Sequence, residues 1–409
     1  MMPQKVVIIG NSFATRLGVI RSLANTGCEI NVVDIGFHKG KSGKSLYPID
    51  YYSKYIDKYF LFERSEGREG LVDFLIRECA DKLQKAVLIP TSDFSAVTID
   101  ENQERLKEFF LFPHIHHTEG AVSHWMNKMV QKELASQIGL IVAKAVILEK
   151  GEKHFAIPSN IDYPCFTKPL ASIGGGKRCL KKCDSEKALS EVLTLAEKIN
   201  IEKILIEEYI KIEKEYAILG FSDGNDVVIP GIIQFVEGSK SHPGVALKGK
   251  IKPITGFENT IRLFKQLILR IGYIGIFDID FVESGDKIYF VELNLRIGGS
   301  AYAVSKMGCN LPAMYVKFMT GKSIKDDTSC YVQTTKTYLN ERMLMDDWMS
   351  GKRSTCEYKK IIKSSDIYFV SDEDDPKPQE QLQKEFLHKL ISHKRIVKHL
   401  LQIISNNRE

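Results

Sequence analysis

The chain has 409 residues, 44% of them hydrophobic and 27% charged, with a formal net charge of +5. That composition excludes a disordered or collagen-like chain and leaves room for two or three domains with their own cores. Lysine and arginine are spread along the sequence apart from the C-terminus, which fits a small anionic ligand such as a nucleotide and makes no case for nucleic acid.

Met1 leads almost directly into the apolar run Val6-Val7-Ile8-Ile9, so no signal peptide is expected. No apolar run reaches the ~18 residues of a transmembrane helix. The cysteines at 28, 79, 165, 179, 183, 309, 330 and 356 are scattered. Only Cys179 and Cys183 are close, and no second Cys/His pair beside them completes a zinc pattern. Free thiols and a cytoplasmic location are the expectation.

Residues 1–115 alternate short apolar runs with helical patterns, the signature of a parallel α/β sheet. Residues 6–9, 30–33 and 86–89 read as strands, and Phe13, Leu17, Ile20 and Leu23 recur at helical spacing. Two segments imitate phosphate loops. Gly10-Asn11-Ser12-Phe13-Ala14 lacks the G-x-G-x-x-G that cradles a dinucleotide. Gly40-Lys41-Ser42-Gly43-Lys44-Ser45 has His38 where a P-loop needs glycine, and reads as a solvated loop.

Residues 118–138 read as one helix, with Thr118 as cap and Lys128 and Lys132 one turn apart on one face. Strands are expected at 141–148, 165–168, 204–208, 216–221, 227–234, 276–282 and 288–293, with helices at about 185–199 and 258–271. Beyond 325 the pattern weakens. Residues 372–378, acid-rich and ending Pro376-Lys377-Pro378, read as a linker before a final helix.

Three constellations carry chemistry. Lys168 ends a strand before a loop containing Gly174, Gly175, Gly176 and Lys177. Glycines let backbone N–H groups approach phosphate oxygens, and lysine adds a point charge. A flexible hairpin with a solvated lysine would read the same way. The second is Glu207-Glu208-Tyr209-Ile210, followed by Glu215. It suits an adenine edge and a ribose, and is equally a solvated acidic strand end. The third is the strand containing Asp278 and Asp280, followed by the strand with Glu292, Asn294 and Arg296. Alternation puts these side chains on one face of each strand. Oxygen donors on one face suit Mg²⁺, and an adjacent arginine suits a transferring phosphoryl group. A half-solvated hairpin is the competing reading.

In order and spacing these elements resemble the ATP-grasp enzymes across roughly residues 1–325. The resemblance implies that Lys128 and Lys168 contact phosphates, with Lys168 also catalytic, and that Gly174, Gly175, Gly176 and Lys177 close over them. It makes Glu207, Glu208, Tyr209 and Ile210 the adenine hinge and Glu215 the ribose ligand. Asp280, Glu292 and Asn294 would hold Mg²⁺, with Mn²⁺ able to substitute, and Arg296 would face the reacting phosphoryl group as a catalytic residue.

The expected fold is α/β. A Rossmann-like pre-ATP-grasp domain spans 1–115. The ATP-grasp unit spans 116–325, with a lid at about 140–212, a C-terminal lobe at 213–325 and ATP between them. An extension at 326–409 ends in a basic amphipathic helix. The stretch from Arg296 through Gly298, Gly299 and Ser300 to Val304 resembles carboxylate–amine ligases of the D-aspartate-ligase kind.

The implied activity is an ADP-forming ligase that joins a small carboxylate to an amine through an acyl phosphate. Gly299 and Ser300 would approach the acyl group, and Asp93, following a strand in Thr91-Ser92-Asp93, would bind the amine unless it only caps a helix. Kinase-like or carboxylase-like chemistry without amide formation is one alternative, and a catalytically silent nucleotide-binding protein another. Beyond these substrates a homodimer is a candidate assembly, and the C-terminal helix is expected to pack on its own domain or on a second subunit, with contact to anionic lipid or an acidic partner as the alternative.

Overall fold

Strand Gln4–Gly10 lies at the centre of a five-stranded parallel sheet, with Cys28–Gly36 and then Lys58–Glu63 on one side and Ala86–Pro90 and then Phe110–Leu111 on the other. The computed structural model describes residues 2–36, 47–81, 83–151, 154–169, 176–242 and 244–391. The loop at 40–45 therefore lies outside the described residues. Val6 and Ile8 enter one apolar cluster and Val7 and Ile9 another, so this strand is covered on both faces. That is why it reads as a continuous apolar run and not an alternating one. Ser12 caps helix Phe13–Leu23 by accepting the Thr15 N–H. A Cβ on Gly10 would lie 2.0 Å from Thr91 Oγ1, so glycine lets the first strand end against the fourth.

The expected helix over 118–138 is two helices, Ala121–Trp125 and Lys128–Gln137. Thr118 does not cap them. Gly120 precedes the first in a left-handed conformation, and the Asn127 side chain accepts from Met129 N–H to start the second. The expected strand over 141–148 also divides. Ile141–Val142 pairs with the central sheet, whereas Ala145–Glu149 belongs to a separate four-stranded antiparallel sheet. The chain crosses from one lobe to the other within two residues. That smaller sheet runs Lys181–Cys183, Cys165–Pro169, Lys203–Glu208, Ala145–Glu149, and helix Glu186–Lys198 covers it with Leu189, Val192, Leu193 and Ala196.

The central sheet has ten strands, with Lys214–Asp223, Tyr273–Ser284 and Lys287–Asn294 in its middle. Helix Glu258–Ile271 packs Phe264, Leu267 and Ile268 against Phe277, Ile279 and Phe281 on one face. On the opposite face Ala217, Leu219 and Phe221 share a cluster with Val19, Ile20 and Tyr315. This face is where the sheet meets the N-terminal domain. The expected strand over 227–234 is interrupted into Val227–Val228 and Ile232–Gly238 around Pro230 and Gly231.

The region beyond 325 is more regular than its sequence suggests. Strands Lys336–Leu339 and Ile367–Tyr368 extend the central sheet. The acid-rich segment is no solvated linker, because Asp375 is fully buried. Its carboxylate accepts from Arg21 Nε at 3.1 Å, Ser53 Oγ at 2.8 Å and the Lys54 N–H at 3.0 Å. The same guanidinium donates to the carbonyls of Phe369, Val370 and Asp375. Helix Lys377–Ile391 stacks Phe386 on Trp348 with centroids 5.2 Å apart and pairs Glu385 with Arg342 at 2.9 Å. Its described part packs on its own chain, and nothing supports the alternative of a lipid contact. The basic stretch at 394–398 lies outside the described residues. No described helix is long and apolar enough to cross a membrane.

Arg21→Ala leaves Asp375 buried without its counter-ion, and breaking such a pair costs about 3–5 kcal/mol. Urea unfolding should show that loss. A midpoint equal to the wild type would mean that the clamp carries no stability.

Candidate active site

The hairpin of strands Tyr273–Ser284 and Lys287–Asn294 builds the site from its register. Asp278 sits opposite Asn294, and Asp280 opposite Glu292, so the four side chains share a face. The next pair is Phe281 with Phe290, which leaves Val291 as an extra residue. This bulge lets both phenylalanines turn into the helix-covered core while Asp280 and Glu292 stay on the other face. Burial, with Glu292 adding to it and Arg296 opposing, pushes the Asp278 carboxyl up to about 6. Burial, then Asp278 and Glu292, raises Asp280 well above the usual carboxylate range. Asp278 Oδ1 is a buried oxygen without a hydrogen-bond partner. Its other oxygen lies where a Cβ on Gly298 would be, 1.7 Å away, so only glycine fits there.

Positive charge reaches this face from two elements. Helix Lys128–Gln137 is fastened to the inner strand by Gln131, whose amide donates to Leu293 O at 2.6 Å and accepts from Leu293 N–H at 2.9 Å. That places Lys128 Nζ 3.2 Å from Glu292 Oε1. From the loop after the hairpin, Arg296 Nε donates to Asp93 Oδ1 at 2.9 Å. Asp93 opens helix Asp93–Asp100, but Ser92 is the cap, in a capping box with Ser95. Asp93 thus reaches across the domains to Arg296.

A second group lies on the smaller sheet. Glu207 is buried and faces two ammonium groups, Lys168 Nζ at 2.6 Å and Lys132 Nζ at 2.8 Å. Burial acts to raise its carboxyl, but the two lysines outweigh it and hold it below the usual range. Lys132 must share one carboxylate with Lys168, and burial lowers it. The expected hinge therefore uses the Glu207 side chain to hold lysines. Glu208 continues the strand, with its N–H on Lys144 O, and the Tyr209 N–H donates to Pro164 O. The exposed Tyr209 ring carries Lys182 Nζ 4.7 Å from its centre, and Ile210 follows half-buried.

Glu215 is exposed opposite Phe235 and Val282, and lines a cavity of about 640 Å³ with both Glu213 and Gln234. Gly299 passes over Thr15 of the N-terminal domain, and Ser300 leads into helix Ala301–Lys306. Gly174 and Gly175 lie outside the described residues. Gly176 and Lys177 open the short turn Gly176–Cys179, and the Lys177 side chain is not among those described.

Two residues were left unassigned by sequence reasoning. Asp278 was visible as a second acid two positions before Asp280, and Lys132 as a lysine one turn after Lys128. Neither spacing says that the side chain is buried against a partner.

Among the described residues no three His, Cys, Asp or Glu side chains converge on a point that would hold a metal alone. The donors on the acidic face are nevertheless all hard oxygens, and Asp278 Oδ1 is unpartnered. Mg²⁺ takes only one or two carboxylates and completes its shell with phosphate and water, so the set fits that ion.

The comparisons with known proteins agree with this frame. Residues 133–311 match the family model of the ATP-grasp domain. It is 25% identical over 336 residues to the carbamoyl phosphate synthase large chain of Clostridium acetobutylicum, covering 77% of this chain and 29% of that protein. It is 30% identical over 177 residues to the same enzyme of Clostridium perfringens (strain SM101 / Type A), covering 41% of this chain and 16% of that one. The chain thus spans less than a third of these relatives. Among solved structures, L-amino acid ligase from Bacillus licheniformis superposes with a TM-score of 0.61 at 14% identity, over 82% of this chain and 79% of that one. Biotin carboxylase from Campylobacter jejuni superposes with a TM-score of 0.61 at 19% identity, over 82% and 75%. These two share the fold.

The Asp278 carboxyl has a testable consequence. The folded chain holds its proton more tightly than the unfolded chain, whose value is near 3.8. Its contribution to stability is therefore full below that value and lost as pH rises through about 6. In EDTA, Asp278→Asn should flatten the fall in thermal stability between acid and neutral pH. An unchanged pH profile would show that Asp278 titrates normally.

Proposed function

We propose that the chain is an ATP-dependent ligase that joins a small carboxylate to an amine, releasing ADP and phosphate. The observation that carries this reading is the acidic face of Asp278, Asp280, Glu292 and Asn294, bordered by Lys128 and by an Arg296 tied to Asp93 of the facing domain. The ATP-grasp match supports it, since its span contains Lys168, Glu207, Asp280, Glu292, Asn294 and Arg296.

In this reading Lys128 and Lys168 bind the nucleotide phosphates under the loop of Gly174, Gly175, Gly176 and Lys177. Glu208, Tyr209 and Ile210 border the adenine, and Glu215 takes the ribose. Asp280, Glu292 and Asn294, with Asp278 beside them, hold Mg²⁺, which supplies charge neutralisation on the phosphates. A carboxylate oxygen attacks the γ-phosphorus as its bond to the ADP oxygen breaks, giving an acyl phosphate. The amine nitrogen then attacks the acyl carbon, loses a proton and expels phosphate. Arg296 neutralises charge on the transferring group. Asp93 holds Arg296 in place and stays the proposed contact for the amine. Gly299 and Ser300 border the acyl group, as their resemblance to the D-aspartate-ligase kind suggests. ATP supply and eight free cysteines suit the cytoplasm, and a homodimer remains the candidate assembly.

A screen of amino-acid pairs for phosphate release, with products weighed by mass spectrometry, tests the reaction. The expected product has the summed mass minus one water, with ADP as nucleotide. AMP would sink this mechanism. Phosphate release with one carboxylate alone, leaving a phosphorylated or carboxylated product, would move the chain to kinase-like or carboxylase-like chemistry.

Glu292→Gln and Lys168→Ala should each lower kcat by roughly a hundredfold or more while the fold persists, through a lost charge at the metal and at the phosphate. Near-normal turnover of either variant would remove that residue from the site.

A further inference from the structure

The Lys132–Glu207–Lys168 triad is asymmetric. Lys132 and Glu207 have side chains only 6% and 5% exposed, against 20% for Lys168. Lys132 is anchored twice, at 2.8 Å from Glu207 Oε1 and 3.4 Å from the Ala143 carbonyl. It stands on helix Lys128–Gln137, which Gln131 fixes to the central sheet. Lys168 stands on the same small sheet as Glu207, on the neighbouring strand Cys165–Pro169 and one residue from its end, where the glycine-rich loop begins. Its Nζ lies 2.6 Å from Glu207 Oε2. The one carboxylate thus holds a fixed lysine and one placed to leave.

We propose that Glu207 is a parking site for Lys168, and that Lys132 is a positioning residue that keeps Glu207 neutralised when Lys168 leaves it for a nucleotide phosphate. This rests on the ATP-binding reading above. A buried carboxylate stripped of every counter-ion is strongly unfavourable. Without Lys132, Lys168 could serve the phosphate only by leaving Glu207 bare, so the carboxylate would compete with the nucleotide. With Lys132 in place the exchange leaves one carboxylate beside one ammonium. Glu207 lies at the position expected for the adenine hinge, and here its carboxylate works on the phosphate side through Lys168.

Calorimetric titration of the full chain with Mg-ATP, in parallel with thermal melts, tests the exchange. Lys132→Met should weaken nucleotide binding by about tenfold or more, since it leaves Lys168 as the sole counter-ion of a buried carboxylate. Glu207→Gln should bind at least as tightly as the wild type, because nothing then holds Lys168 back. The double variant should recover to within about threefold of Glu207→Gln, because the two effects are coupled and not additive. Unchanged binding by Lys132→Met would overturn the proposal. So would a double variant as weak as Lys132→Met, which would make Lys132 merely structural. Weakened binding by Glu207→Gln would make its carboxylate a direct nucleotide contact and also overturn it. Should Lys132→Met fail to fold, Glu207→Gln alone decides. A wild type that binds no nucleotide would sink the ATP reading itself, an outcome separate from these.

Discussion

The structure is organised around negative charge that the central sheet buries on the face it turns towards the N-terminal domain. Asp278, Asp280 and Glu292 crowd there; Asp278 and Glu292 add to the cost of ionising Asp280, and Glu292 to that of Asp278. Such a face persists only if cations reach it from outside the sheet. The helix bearing Lys128, the loop bearing Arg296 and the Asp93 that holds Arg296 all serve that need. The proposed site for a polyphosphate and a cation lies where those elements converge.

The same requirement explains how the domains are joined. The N-terminal domain meets the rest through an apolar cluster that includes Val19, Ile20, Ala217 and Leu219, and polar, directional contacts are added to it. Tyr315 donates to Leu88 O at 3.1 Å, Asn310 to Ser22 O at 2.6 Å, and Ser22 and Ser305 share a hydrogen bond at 2.8 Å. On the far side of helix Phe13–Leu23, Arg21 clamps the segment around Asp375. Directional bonds fix a relative position that apolar packing alone leaves loose. That fixed position is what allows Asp93 of one domain to hold Arg296 of the other. The smaller sheet is different. Of the two salt links of Glu207, the one to Lys168 stays within that sheet and the one to Lys132 crosses to the other lobe.

Much of this was legible in residue order. The covered strand at 6–9, helix 258–271 and the alternation that puts Asp280 with Glu292 and Asn294 follow from local periodicity, which depends only on backbone geometry. Sequence reading failed where one apolar or acidic run serves two environments. The run at 141–148 is apolar except for Lys144, yet it divides between two sheets. The acids at 372–375 look solvated because the partner of Asp375 is Arg21, 354 residues earlier.

What the sequence determined by itself was therefore the inventory: which side chains can carry phosphate, metal and phosphoryl chemistry, and the strand or helix on which each stands. Tertiary structure alone decided their partners. It turned Asp93 from a helix cap into the support of Arg296, gave Glu207 two lysines, and left Asp278 with one buried oxygen unpaired and the other against Gly298. The reason is physical. Periodicity is a property of the chain next to a residue, whereas burial and charge compensation belong to whatever distant segment the fold brings against it.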